Sequence, residues 1–355
     1  MGQSIYDYMG ERSLEDGFLP ENFSLPPDPD VLIPYADGAE DGIALYHVKP
    51  PEFTEKDSED VGLALTALSC GRMEEAEERF IAMAKEHSPI VELDLIQDYL
   101  RDHYEEDENL DLKEIAKNAF TLLTNTDNRQ CVKYALGLLE LFPFLEEADG
   151  YAPIVRFMAQ CDEFTFYAMY VMGEWENGND EVFELAKRVH GWGRIHCVSY
   201  LEPETQDIKD WLLYEGANNT VLSNYSAMKC LVKSGVPERL ENRITYEEWK
   251  GIGKLLCHCI VDQPLLGIYA YESGIDVIAL WLRAQAAELF EMDYEDCLSV
   301  WTILKDAMQR GPEAGDGEII CYGIAVLNSY ENKQLIREHL DEREGQEMAH
   351  FLKMD

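Results

Sequence analysis

From Ser58 onward, apolar residues recur every three or four positions, the spacing of one face of a helix. The first block opens at Ser58 and runs to Ser69, with Val61, Leu63, Ala64, Leu65 and Leu68 on its apolar side; Gly71 ends it. Met73 to Lys85 follows as a partner helix, with Ala76, Phe80 and Met83 facing back. The same pattern predicts helices over 90–101, 111–124, 129–142, 152–173 (broken near Cys161) and 180–189. A Gly-Trp-Gly corner, a short helix, a Glu-Pro turn and another helix then fill Arg188 to Gly216. Helices in NNTVLSNYSAMKCLVKSG and ITYEEWKGIGKLLCHCIV precede blocks over 264–272, 275–290, 295–310, 317–329, 331–342 and 345–353. Asp111 with Glu114 and Thr245 with Glu248 have capping-box spacing, and Thr205 stands where an N-cap belongs.

Residues 1–57 read differently. They hold seven of the 14 prolines, which forbid long helices. Two apolar runs, Val31-Leu32-Ile33 and Ile43-Ala44-Leu45-Tyr46, flank Asp37-Gly38 and Asp41-Gly42, which predicts a loose hairpin in a non-helical arm. Asp28, Asp30, Asp37, Glu40 and Asp41 depart from the spacing of a calcium-binding loop, so no metal is expected. The organisation that follows is an acidic, proline-rich arm over 1–57 and a helical repeat domain over 58–355. About fifteen short helices joined by short turns, with no strand alternation, stack most simply as an all-α, right-handed solenoid of pairs.

Three stretches carry family resemblances. ALSCGRMEEAEERF, with Gly71, Ala76 and Phe80 in place, resembles a tetratricopeptide unit. DNRQCVKYALGLLELF resembles the second helix of a HEAT-like repeat, with Val132, Ala135, Leu136 and Leu139 as its stripe. Asp127 stands six residues before Lys133, a spacing that in HEAT-like arrays implies a ladder of acidic and basic side chains between repeats. GWGRIHCVSYLEPETQDIKDWLL extends the likeness through Arg194, Val198 and Leu201, although Arg188 stands where the acidic ladder partner would be.

Charge narrows the function. The 355 residues include 70 acidic and 29 basic ones, a net of -41, which repels nucleic-acid phosphates and anionic membranes. The expected partner is a basic or neutral protein or peptide. Lys187 to Lys254 holds ten basic and nine acidic residues, leaving 19 basic and 61 acidic elsewhere, so the centre is a neutral island in an acidic chain. Nine dispersed cysteines, no basic-then-apolar leader and no apolar run of about 18 residues point to a reduced, cytoplasmic setting.

That island contains His190, Trp192, Arg194, His196, Lys209 and Trp211, residue types enriched in binding hot spots, and these form the predicted partner surface. No serine, cysteine or carboxylate motif accompanies the histidines, so no catalytic residue is expected. Cys257-His258-Cys259 reads as core thiols, because adjacent helical positions point about 100° apart. Phosphate-binding loops, dinucleotide fingerprints, HExxH and GxSxG are missing, and no cofactor or metal is expected. The leading expectation is a non-catalytic interaction module, in one form an inhibitor or immunity-type protein. The alternative is a HEAT-like enzyme of lyase or glycosylase type, with a small-molecule site near Arg194 and His196.

Overall fold

The computed structural model describes residues 2–27, 35–261, 265–311 and 316–354. Among these the chain forms helices and no strand. In chain order they are α1 Ile5–Gly10, α2 Ala39–His47, α3 Glu55–Ser69, α4 Met73–Glu86, α5 Pro89–His103, α6 Leu112–Asn125 and α7 Arg129–Leu139. Next come α8 Tyr151–Ala159, α9 Asp162–Gly173, α10 Gly178–Ala186, α11 Trp192–Tyr200, α12 Gln206–Trp211, α13 Asn224–Lys233 and α14 Val236–Leu240. The last are α15 Tyr246–Cys259, α16 Gly274–Glu288, α17 Tyr294–Arg310, α18 Gly317–Leu327, α19 Tyr330–Glu338 and α20 Arg343–Phe351. No helix of the described residues is long and apolar enough to cross a membrane.

Local chemistry sets the ends. α3 begins three residues before the predicted Ser58 cap, because Thr54 and Asp57 form a reciprocal capping box instead. Thr245 and Glu248 form the box expected of them, and Thr205 caps α12 through the Ile208 amide. Asp111 accepts from the Lys113 and Glu114 amides, while the Glu114 carboxylate takes Lys117 Nζ at 2.8 Å. Gly71, at φ 69°, turns the chain between α3 and α4 in a conformation that suits glycine.

The chain divides into two compact units, residues 1–201 with 219–221, and residues 202–218 with 222–355. In the first, α5, α7, α9 and α11 touch in succession, while α6, α8 and α10 each pack on the helix that follows. Its core is apolar and aromatic, with Phe80 stacked on Tyr134 at 4.8 Å. In the second, α13, α15, α17 and α19 touch in succession, and α14, α16 and α18 form a row beside them. Its centre is a reciprocal pair. Trp249 and Trp281 stack at 4.9 Å, and each indole donates to the other's backbone carbonyl, at 3.0 and 2.8 Å.

The arm departs from expectation. It contains two helices, α1 and α2, and packs into the first unit. Of the expected hairpin, Val31-Leu32-Ile33 lies outside the described residues, and Ile43 to Tyr46 is helical. The prolines flank α2 rather than interrupt it, and Gly38 at φ 74° starts it. The proposed ladder from Asp127 to Lys133 is not formed. Asp127 Oδ2 accepts the Gly2 amide at 3.1 Å, while Lys133 reaches Asp41 and Glu163.

Candidate functional site

The Gly191-Trp192-Gly193 corner is shaped by one buried carboxylate. Asp162, the first residue of α9, accepts the Gly191 amide at 3.2 Å and the Gly193 amide at 2.7 Å. A Cβ on Gly193 would stand 2.6 Å from Thr165 Oγ1, so this approach excludes a side chain. Burial pushes the Asp162 carboxyl up to about 6 against the pull of both amides. Arg194 turns inward: its Nε donates to Val189 O at 2.8 Å, and a terminal nitrogen stands 3.2 Å from His190 Nδ1. His190 is half-buried, and its pKa is lowered by burial and then by Arg194. It lies beyond the end of α10 at Ala186, so it does not meet that helix's dipole as a terminal residue would.

Trp192, Arg194 and His196 expose only 5, 6 and 2 % of their surface. Trp192 instead receives α2. Tyr46 stacks on it at 6.0 Å and on His196 at 6.3 Å, and the Tyr46 hydroxyl is 3.2 Å from Ser199 Oγ. Gly42 faces the indole, where a Cβ would stand 2.2 Å from a ring carbon. A cavity of about 280 Å³ beside the corner is lined by Phe18, Gln160, Asp162, Arg188 and His190 among others, but by neither Arg194 nor His196. The guanidinium of Arg188 lies 3.6 Å over the Phe18 ring. Comparison with known proteins adds nothing to this geometry. No family model, curated protein or solved structure matches the chain.

Lys209 and Trp211 belong to the second unit, so the six predicted residues do not form one cluster within either unit. Lys209 lines a groove of about 610 Å³ with Lys233, Arg239, Arg243, Glu238 and Glu248. Arg239 is already engaged, at 2.5 Å from Asp210 and 2.8 Å from Glu248, and Arg243 pairs with Glu288 at 2.9 Å. Trp211 is half-buried. The Cys257 thiol lies 3.6 Å from Ser299 O and burial pushes it up to about 11, while Cys259 is buried in the same helix.

The most concentrated polar chemistry in the first unit lies where sequence reasoning placed only a ladder residue. Lys133 is fully buried on α7, with Asp41 Oδ2 at 2.7 Å and Glu163 Oε1 at 2.8 Å. Ser88 donates to Asp41 Oδ1 at 2.9 Å, and the Gly38 amide donates to Glu163 Oε2 at 2.8 Å. Burial alone would discharge Lys133, yet the two carboxylates outweigh it and raise its pKa. Glu163 is likewise penalised by burial but held low by Lys133 and Arg129. Arg129 stands 3.7 Å from Glu163 and donates to Pro26 O at 2.8 Å, which ties the chain preceding α2 to the same network. Each charge here has a protein partner, and the cluster's chemistry is to hold α2 in place. The signal in the sequence was a single lysine within the apolar run CVKYALGLL.

Proposed function

We propose that this chain is a non-catalytic, acidic interaction protein whose partner is a basic protein or peptide. The observation that carries the reading is how its charge is disposed. The first unit holds 42 acidic and 15 basic residues, a net of -27, and the second 28 and 14, a net of -14. Among the described residues, at least 18 of the chain's 29 lysines and arginines have a carboxylate within 4.0 Å. Positive charge is thus largely engaged within each unit, and the unmatched carboxylates set the field that an approaching protein meets.

The succession of paired helices in each unit supports a right-handed solenoid of degenerate HEAT-like and tetratricopeptide-like pairs, a scaffold that commonly presents extended binding surfaces. Nine cysteines joined by no disulfide support a reducing, cytoplasmic setting. An inhibitor or immunity-type protein that neutralises a basic toxin is one specific form of this function. Affinity capture at low and at high salt, followed by pairwise titration of each captured protein, tests it. A basic partner whose affinity falls steeply with salt is the expected result. Capture of no protein, or of neutral proteins indifferent to salt, would sink the reading.

A further inference from the structure

We propose that the groove of the second unit lined by Lys209 and Lys233 is a binding site for a small molecule carrying a phosphate group. The site is separate from the acidic surface that would meet a basic partner, and either can fail without the other.

Charge singles the groove out. The second unit holds 28 acidic and 14 basic residues, yet four basic and two acidic side chains line this groove. Of the two acids, Glu248 is already occupied: it accepts the Thr245 amide and hydroxyl at 2.9 and 3.0 Å, and Arg239 at 2.8 Å. Glu238 is exposed to solvent. Lys209, half-buried on α12, has no carboxylate within 4.0 Å among the described residues. Lys233 is the last residue of α13. Burial lowers its pKa, Glu202 opposes the shift and Lys229 adds repulsion, so an anion in the groove would stabilise the charged ammonium.

The groove is braced before any ligand arrives. Arg239 Nε donates to Ser234 O, just past α13, at 2.9 Å, while its terminal nitrogens reach Asp210 on α12 and Glu248 on α15 at 2.5 and 2.8 Å. Gly235, at φ 72°, turns the chain from α13 into α14, which carries Arg239. These bonds commit the flat fork that suits a carboxylate to the protein itself, whereas Lys209 and Lys233 bring point charges, which suit phosphate. A phosphate monoester carries about two negative charges and outweighs Glu238, where a single carboxylate would be cancelled by it. The volume of about 610 Å³ lies in the range of small-molecule pockets, and Pro203, Val232 and Ile244 offer apolar wall to the rest of the ligand.

Isothermal titration of the intact protein with inorganic pyrophosphate, in a phosphate-free buffer at low salt, tests the site. The net charge of -41 opposes nonspecific uptake of the anion, so the expected result is one saturable site per chain. Lys209→Gln and Lys233→Gln should each weaken binding about tenfold, while Lys209→Arg, which keeps the charge, should stay within about threefold. Lys254→Gln, the same charge change on an exposed lysine of α15 outside the groove, should leave affinity unchanged. Thermal melts confirm that the variants fold, and Lys209 carries the test alone should Lys233→Gln unfold. No saturable binding up to millimolar pyrophosphate, no loss from Lys209→Gln, or equal losses from Lys209→Gln and Lys254→Gln would overturn the site and leave the basic-partner reading standing.

Discussion

Lys133 Nζ lies 2.7 Å from Asp41 Oδ2, and this contact joins the arm to the helical body at a point closed to solvent. Glu163 shares the same ammonium at 2.8 Å. Lys133→Met would leave two buried carboxylates facing each other without their cation. The expected loss is about 3–5 kcal/mol, measured by thermal or urea unfolding. Adding Asp41→Asn and Glu163→Gln to that variant should restore part of the loss, since the uncompensated charges are the source of the cost. An unchanged melting temperature for the single variant would show that the pair does not hold the arm.

Gly42 supplies the second attachment of α2. A Cβ there would overlap the six-membered ring of Trp192, and both partners are buried. Gly42→Ala favours the helix intrinsically, yet it should destabilise the protein by about 1–3 kcal/mol through overpacking. Hydrogen exchange reads this directly: amides of α2 should exchange faster while those of α7 change little. Protection that rises along α2 would mean that Trp192 yields and the close approach is not required.

These two contacts show why the body was legible in the sequence and the arm was not. α4 could be read because Ala76, Phe80 and Met83 repeat at helical spacing and all three are buried. α2 reverses that rule. It buries Asp41 and Gly42 and leaves Ile43 and Leu45 exposed, so two residues of its apolar run face solvent. Lys133 and Ser88, far away in the chain, make an inward aspartate affordable, and no local pattern reports them. The corner failed for a related reason. Trp192, Arg194 and His196 have the composition of a binding surface, but all three are buried, and Tyr46 of α2 stacks on Trp192 and His196. Residue type alone does not say which side a residue faces.

Asp162 gives the stability a pH signature. Its carboxyl rises from 3.8 to about 6, chiefly through burial. The folded state therefore holds a proton that the unfolded chain releases earlier, and this contribution to stability is lost as pH rises from 3.8 towards about 6. Asp162→Asn keeps one acceptor for the glycine amides and carries no charge. The variant should gain on the wild type across that window and hold a constant difference above it. Parallel unfolding curves across the window, with no change in their separation, would place the charge penalty elsewhere.

Arg194 provides a test that separates a structural tie from a recognition residue. Its guanidinium donates to Val189 O and approaches Lys187 O at 3.5 Å, which secures the chain leaving α10. Arg194→Ala removes these bonds inside the unit and leaves a void, at an expected cost of about 2–3 kcal/mol. Titration of His190 supplies an independent readout. Burial lowers its pKa first and Arg194 lowers it further, so the variant should titrate at higher pH, towards the ordinary value. Partner binding should not change, because Arg194 is buried. A variant that melts normally but loses partner binding would return Arg194 to the recognition surface and overturn its assignment as a buried tie.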